Sequence, residues 1–177
     1  TTELLSLGPS IQCNLKFSED GKHYYFGNSH AVAEVSVETS TISQIIDFSQ
    51  VVRSIEMVNN ETMIVGTERG KVIIYNIKTD TQKELFSCGE YPVINLRYKK
   101  DHVLIVTPMR IILINLDGTV VDDTRSETLI ETAELLESPE GEMAVAYSLT
   151  DASGSLVIKT QKEERKLNAE SPHIFCG

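Results

Sequence analysis

The side chains in this sequence that are best suited to bind a partner are basic ones in two short turns. The stretch RYKKDH, 97–102, is the densest basic cluster, and GTERGK, 66–71, places two cations beside a glycine turn. Arginine and aromatic side chains are favoured at the centres of protein interfaces, and clustered cations attract an acidic peptide or helix. The alternative interpretation is a solvated hairpin turn, since charged turns are common. The candidate partner-binding residues are Arg69, Lys71, Arg97, Lys99, Lys100 and His102.

The sequence contains no motif that is typical of a catalytic or a metal-binding site. No GxGxxG, P-loop or GxSxG pattern occurs, and the four histidines stand singly. A zinc site needs ligands at close and defined spacing, whereas Cys13, Cys88 and Cys176 include no CxxC pair. Paired catalytic carboxylates need an apolar setting that separates their pKa values, and nothing in the sequence indicates one. We therefore predict no catalytic residues, no metal site and no cofactor, and a protein that is not an enzyme.

The overall charge narrows the class of partner. The 177 residues have a formal net charge of −10 and a hydrophobic fraction of 41%. This composition is typical of a folded globular domain, and the negative charge disfavours binding to nucleic acid. No apolar run approaches the ~20 residues of a membrane span, and the N-terminus lacks the pattern of a signal peptide. We predict a cytoplasmic protein with reduced cysteines, with peripheral attachment to membranes as an alternative.

A repeat of about forty residues positions the candidate residues. Each copy begins with two strands joined by a polar turn, as a tight hairpin requires. Val/Ile runs such as KVIIYNI (71–77) and RIILINL (110–116) follow, and they are typical of strands that are buried on both faces. A charged fourth segment then suits an exposed outer edge. The residues that align in the second strand of the four copies are Tyr25, Val65, Ile105 and Val145.

Apolar inner strands, a polar outer strand and a period near forty form the pattern of a β-propeller blade. We therefore predict an all-β fold of about four blades, each with four antiparallel strands. The stretch 127–141 is rich in Glu and Leu, but it occupies a first-strand position, and we interpret it as loop plus strand. The predicted blades lie near residues 11–50, 51–90, 91–128 and 129–170, and a fifth begins at 171–177.

The number of blades leaves two ways to complete the fold. Propellers close with about four to eight blades, and an open array leaves an apolar face uncovered at each end, which repeat proteins normally cap. We favour a segment of a longer, seven-bladed propeller, and closure of four blades alone is the alternative. The chain also starts without methionine, which indicates a processed product, a trimmed chain or a fragment.

The repeat is similar in length to WD repeats, although the chain has no tryptophan and its repeats are degenerate. A narrower resemblance lies in PVINLRYKKDHVLIVTPMRIILINLDGTVVDDT, 92–124. This stretch resembles the third blade of the PROPPINs, the phosphoinositide-binding β-propellers of autophagy. The stretch 132–160 is similar to the fourth blade of that family, and NAESPHIFCG, 168–177, resembles the start of its fifth blade.

The resemblance implies a function for the basic turns. Lys100 and His102 fall on the family's basic turn positions, and grooves near its second and third blades dock partner proteins. Its Phe-Arg-Arg-Gly motif, which binds lipid headgroups, would lie beyond this chain, and Ala169-Glu170 replace an expected histidine. We predict a non-enzymatic scaffold that binds protein partners in autophagy or membrane trafficking. A phosphoinositide-binding effector, once the propeller is complete, and a generic WD-repeat-like subunit of another complex are the alternatives.

Overall fold

The protein is built entirely from β-strands in the part of the chain that its computed structural model describes, residues 15–139, 141–151, 154–160 and 162–167. The strands form four antiparallel sheets of four strands each. The predicted all-β fold of four-stranded blades is therefore confirmed. Among these residues, no helix has the length and apolar character needed to cross a membrane. The predicted start of a fifth blade at 171–177, the pair Ala169-Glu170 and both terminal cysteines lie outside the described residues.

The chain divides into two compact units, with the division after Ile94. In every sheet the strand order follows the chain order. The first unit holds the first sheet, β1 (Lys16–Phe17), β2 (His23–Asn28), β3 (Ala31–Ser36) and β4 (Ile42–Asp47), and the second sheet, β5 (Val52–Asn59), β6 (Thr62–Thr67), β7 (Lys71–Asn76) and β8 (Thr81–Ser87).

The second unit repeats the same arrangement. The third sheet consists of β9 (Asn95–Lys99), β10 (His102–Thr107), β11 (Arg110–Asn115) and β12 (Val120–Arg125). The fourth sheet consists of β13 (Ile130–Glu137), β14 (Met143–Leu149), β15 (Leu156–Thr160) and β16 (Glu164–Leu167). The Glu- and Leu-rich stretch within 127–141 therefore enters a strand, in which Ala133 and Leu135 are buried while Glu134 between them is exposed. The assignment of all 177 residues to one propeller segment stays a prediction.

One apolar core joins the two sheets of the first unit. Tyr25, Val32 and Ile46 of the first sheet are buried in one cluster with Ile55 and Met63 of the second. The ring of Phe48 lies 6.0 Å from that of Tyr75 in an edge-to-face arrangement. Burial of such a side chain contributes about 1.5–3 kcal/mol, so the sheets are held face to face by their middle strands.

The middle strands of the third sheet are the most deeply buried part of the second unit. Leu104, Ile105 and Ile112 are fully buried, as the continuous Val/Ile runs predict for strands that are covered on both faces. Asn95, which interrupts the apolar pattern of the first strands, is also buried, and its Nδ2 donates a hydrogen bond of 3.3 Å to the carbonyl oxygen of Ala133. Its polar side chain is thus satisfied by the backbone of the fourth sheet.

Candidate partner-binding surface

The basic stretch 97–102 forms a tight hairpin turn in the third sheet. β9 ends at Lys99, β10 begins at His102, and only two residues connect them. These two, Lys100 and Asp101, both have left-handed backbone conformations, with φ of +46° and +62°. That combination is a type I′ turn, whose twist suits a two-residue hairpin but which favours Asn and Gly. The backbone therefore holds Lys100 at the tip of the turn in a conformation that lysine rarely adopts.

Each cation of this turn is paired with a carboxylate of the fourth sheet. Nε of Arg97 lies 2.8 Å from both carboxylate oxygens of Glu134, and its Nη2 lies 2.5 Å from one of them. Lys100 pairs with Glu137, and Nζ of Lys99 lies 3.9 Å from the same carboxylate. We call these five residues the charged cluster. The hydrogen bond from Lys100 holds the pKa of Glu137 below its usual range.

The charged cluster is close to neutral, although the sequence predicted a basic patch. The cations of Arg97, Lys99 and Lys100 are offset by Glu134 and Glu137, and by Asp101 in the turn itself. Tyr98 donates a hydrogen bond of 3.1 Å to Asp101 Oδ1. The linear sequence hides this balance because the pairing carboxylates lie 37 residues downstream.

The remaining predicted residues occupy separate places. His102 Nδ1 lies 2.7 Å from the carbonyl oxygen of Lys100, so this histidine supports the turn. In the first unit, Lys71 begins β7, and its Nζ lies 2.7 Å from Glu84 Oε2. Arg69 is exposed in the turn before β7 and makes no hydrogen bond or ion pair with any described residue. That the two turns border one groove stays a prediction.

The first strands of the sheets carry an alternation of charge that the sequence analysis missed. Lys16, Glu56, Arg97 and Glu134 stand about forty residues apart, each on the first strand of its own sheet. Within the first unit Lys16 Nζ lies 2.8 Å from Glu56 Oε2, and within the second unit Arg97 pairs with Glu134. Opposite charges on the first strands thus link the two sheets of each unit. A shift by forty relates Lys16 to Glu56, but it aligns them with Leu96 and Leu136 and not with Arg97 and Glu134.

A buried hydrogen-bond network in the first sheet was also missed. Glu34 is 8% exposed, and its carboxylate accepts hydrogen bonds from Tyr25 OH at 3.1 Å and from Ser43 Oγ at 2.6 Å. His23 Nδ1 lies 3.0 Å from the same carboxylate. Burial and the neighbouring Glu34 carboxylate raise the pKa of Tyr25. WD repeats contain an Asp–His–Ser–Trp hydrogen-bond network. In this sheet the buried carboxylate of Glu34 instead contacts Tyr25, Ser43 and His23.

The side chains in the described part of the chain form no group that is suited to bind a metal ion. Among residues 15–139, 141–151, 154–160 and 162–167 there is no group of three or more His, Cys, Asp or Glu side chains suited to an ion. Cys88 is buried. His30 Nδ1 lies 2.9 Å from Ser29 Oγ in an exposed turn, and His173, Cys13 and Cys176 lie outside the described residues.

Comparisons with known proteins identify the architecture. No protein-family model matches the sequence, and no curated protein is significantly similar to it. Two solved structures match with a TM-score of 0.72 and 12% identity: hydrazine synthase from Kuenenia stuttgartiensis, over 89% of this chain, and BBS1N in complex with ARL6DN, over 90%. The four sheets are β-propeller blades, as both neighbours are β-propellers. The chain spans about half of each matched chain, 54%.

These likenesses extend to the fold alone. At 12% identity they select neither an enzyme nor a scaffold, since one neighbour is a synthase and the other is bound to a protein partner. The narrower resemblance to the PROPPINs has no specific support among these matches and stays a prediction.

Proposed function

We propose that this chain is a non-enzymatic β-propeller scaffold that binds protein partners through the charged cluster. The observation that carries the proposal is the bidentate ion pair between Arg97 and Glu134 beside the shared pairing of Lys99 and Lys100 with Glu137. Side chains held in ion pairs lose less conformational freedom when a partner binds. Lys100 keeps 63% of its side-chain surface exposed and Glu134 keeps 50%, so both charges are accessible.

The charged cluster favours a partner whose carboxylates can pair with its cations. An acidic peptide or helix gains by replacing Glu134 or Glu137 as the ligand of the cations, because a bidentate arginine–carboxylate pair is strong and directional. Elsewhere the chain repels such a partner, since its formal net charge is −10. The complex of BBS1N with ARL6DN supports the proposal as an example of a similar fold bound to a protein.

The cellular setting that we propose rests on the resemblance to the PROPPINs. We place the protein in the cytoplasm, peripheral to membranes, with a role in autophagy or membrane trafficking. Phosphoinositide recognition by the complete propeller is the second candidate, and only the resemblance favours it, because the cations of the charged cluster are already balanced by carboxylates.

Partner capture with matched charge reversals tests the first proposal. One variant combines Lys99→Glu and Lys100→Glu, and the control combines Lys78→Glu and Lys166→Glu, which are similarly exposed lysines in other ion pairs. Both variants change the net charge equally. We expect proteins captured by the wild type and by the control to be lost from the cluster variant, as quantified by mass spectrometry. An identical set of captured proteins from both variants contradicts the proposal.

Liposome flotation separates the lipid candidate from the protein-binding one. Vesicles that contain a phosphoinositide are compared with vesicles of neutral lipid, at low and at high salt. Binding that requires the phosphoinositide and disappears at high salt indicates headgroup recognition. Protein binding by the charged cluster predicts no flotation of this chain with either kind of vesicle.

A further inference from the structure

Arg69, in the turn between β6 and β7 of the second sheet, has no part in the charged cluster. It is exposed, and it makes no hydrogen bond or ion pair with any described residue. The other charged side chains of this turn are engaged, since Glu68 pairs with Arg53 and Lys71 pairs with Glu84. The guanidinium group of Arg69 is therefore accessible to a ligand without displacement of an existing partner.

The turn between β6 and β7 is fixed by the chain segment that precedes β5. The backbone N–H of Glu68 donates a hydrogen bond of 2.8 Å to the carbonyl oxygen of Val51. The hydroxyl group of Thr67, a fully buried residue, donates to Gln50 Oε1 at 2.8 Å and accepts from the backbone N–H of Lys71 at 3.0 Å. A side-chain oxygen that satisfies a backbone N–H in this way closes a turn, so the exposed arginine extends from an ordered backbone.

The segment that follows β8 fixes the same turn from the other side. The backbone N–H of Cys88 donates a hydrogen bond of 2.8 Å to the carbonyl oxygen of Gly70. The backbone N–H of Val93 donates one of 3.0 Å to the carbonyl oxygen of Thr67. Gly70 has a φ of +73°, and a Cβ atom there would lie 2.8 Å from the carbonyl oxygen of Tyr91. Glycine permits this approach, so the backbone of Tyr91 lies directly beside the turn.

These contacts place two exposed side chains at one end of the second sheet. Tyr91 is 56% exposed, and its backbone lies beside Gly70, the residue that follows Arg69. Arginine and tyrosine are enriched among the residues that contribute most to binding at interfaces, and an ordered backbone lowers the entropy lost on binding. We call Arg69 and Tyr91 the arginine–tyrosine site. The second sheet stands between the first and the third in the chain, so the site belongs to an internal sheet.

The charges around the arginine–tyrosine site select the chemistry of its ligand. Glu68 precedes Arg69, and the exposed Glu90 precedes Tyr91. One guanidinium group balances one carboxylate and binds it in a bidentate, directional pair. A phosphate group carries about two negative charges near neutral pH, and the two glutamates repel it more strongly than a carboxylate. The tyrosine ring adds an apolar surface that suits an aromatic or aliphatic side chain.

We propose that the arginine–tyrosine site binds a peptide segment in which an Asp or Glu side chain stands next to an aromatic or aliphatic one. The carboxylate of the peptide pairs with Arg69, and its apolar neighbour packs on the ring of Tyr91. This proposal goes beyond partner binding by the charged cluster, because the site lies in the first unit and shares no residue with that cluster. A ligand of the charged cluster has to displace a carboxylate of the chain, whereas a ligand of Arg69 does not.

Selection from a display library of random seven-residue peptides tests this proposal. The bait is the full chain with Lys99→Glu and Lys100→Glu, so that the cations at the turn of the charged cluster cannot select the peptides. We expect the selected peptides to share an Asp or Glu beside an aromatic or aliphatic residue. Fluorescence anisotropy of a labelled synthetic copy of one such peptide then measures its affinity for the wild type and for the variants.

Substitutions on both sides of the contact identify the site. Arg69→Gln and Tyr91→Ala are each expected to weaken peptide binding by about tenfold or more. Arg69→Lys is expected to retain part of the affinity, because an ammonium group keeps the charge but not the bidentate geometry. Lys78→Gln is the control, since Lys78 is an exposed lysine in the turn at the opposite end of the same sheet, and it is expected to leave the affinity unchanged.

The outcomes distinguish this proposal from the one that concerns the charged cluster. Selection of no peptide whose binding depends on Arg69 overturns it, and so does an equal loss of affinity in the Lys78→Gln control. Tighter binding after phosphoserine replaces the acidic residue of the peptide also overturns it, because the site then prefers a phosphate. Since the bait lacks Lys99 and Lys100, none of these results bears on partner binding by the charged cluster.

Discussion

Lys16 and Glu56 lie forty residues apart in the chain, and their charged groups lie 2.8 Å apart in the structure. The spacing of one repeat in the sequence thus corresponds to a contact between neighbouring sheets in the structure. Arg97 and Glu134 repeat the relationship in the second unit, 37 residues apart. Reversal of one charge therefore weakens a contact between sheets, whereas reversal of both restores it.

We expect Lys16→Glu to lower the free energy of unfolding by about 1 kcal/mol, because it sets two carboxylates against each other where a favourable pair stood. The double variant Lys16→Glu with Glu56→Lys is expected to recover most of that loss. Urea unfolding followed by circular dichroism measures both. Lys22→Glu is the control, since Lys22 pairs with Asp20 of its own turn and is 76% exposed. Equal losses in the single and the double variant would contradict the pairing.

The close approach at Gly66 makes a second prediction. A Cβ atom at this position would lie 2.4 Å from Ser54 Oγ and 2.5 Å from Val93 Cγ1, and both neighbours are fully buried. We expect Gly66→Ala to destabilise the first unit by about 1–3 kcal/mol, which is typical of overpacking. Thermal and urea unfolding provide the measurement.

A double-mutant cycle with Val93→Ala separates crowding from a general glycine effect. If crowding causes the loss, Val93→Ala relieves part of the cost of Gly66→Ala. Gly21→Ala is the comparison, because Gly21 has a φ of +68° and open space around its Cβ position, so its cost comes from the backbone alone. Additive losses for Gly66→Ala and Val93→Ala would exclude Val93 as the source of the crowding.

The turn at Lys100 and Asp101 provides a third prediction. Replacement of the pair by Asn-Gly supplies the residues that a type I′ turn favours, and it removes a left-handed lysine whose φ is +46°. We expect the midpoint of thermal unfolding to rise by a few degrees while capture of protein partners declines. A fall in that midpoint would show that the side chains of the turn stabilise the fold more than its backbone conformation opposes it.

Acid is expected to weaken the third sheet through Asp123. Arg110 donates two hydrogen bonds to this carboxylate, of 2.7 and 2.5 Å, and they hold the pKa of Asp123 below its ordinary value of 3.8. A carboxyl group whose pKa is lower in the folded state stabilises the fold above its ordinary pKa, and the contribution is lost as the pH falls through the folded value. Urea unfolding across that acid range is the measurement.

The Asp123→Asn variant isolates this contribution. It is expected to be less stable than the wild type near neutral pH and to approach it in acid, because only the wild type loses the ion pair on protonation. Arg110→Gln should behave alike, since it removes the other partner of the pair. A constant difference between wild type and variant at every pH would exclude the ion pair as the cause.

The sequence alone predicts most of the fold, because local patterns decide where strands begin and end. Alternating and continuous apolar runs, polar turns and charged fourth segments are all visible without knowledge of neighbours. The strand Ile130–Glu137 is an example. Its composition, rich in Glu and Leu, favours a helix, but its position in the repeat correctly predicted a strand. The network on Glu34 could not be predicted in the same way, because its partners come from two other strands, His23 and Tyr25 from β2 and Ser43 from β4.

The candidate site was predicted only in part. The turn at 97–102 was correctly assigned to a hairpin, and its residues are accessible, but its charge was misjudged. Which carboxylate meets which cation depends on the sheet that packs alongside, and no local pattern contains that information. Arg69 and Lys71 are a second example, because both are cations of one turn in the sequence. Among the described residues only Lys71 pairs with a carboxylate, that of Glu84.

By itself, the sequence determined the repeat, the four-stranded sheets and the placement of polar turns between them, because hydrophobic periodicity and turn chemistry act over a few residues. Only the tertiary structure decided that the basic turn is neutralised by Glu134 and Glu137, and that Lys16 meets Glu56 of the neighbouring sheet. Both outcomes depend on contacts between sheets, whose energies are determined by distance in space and not by separation along the chain.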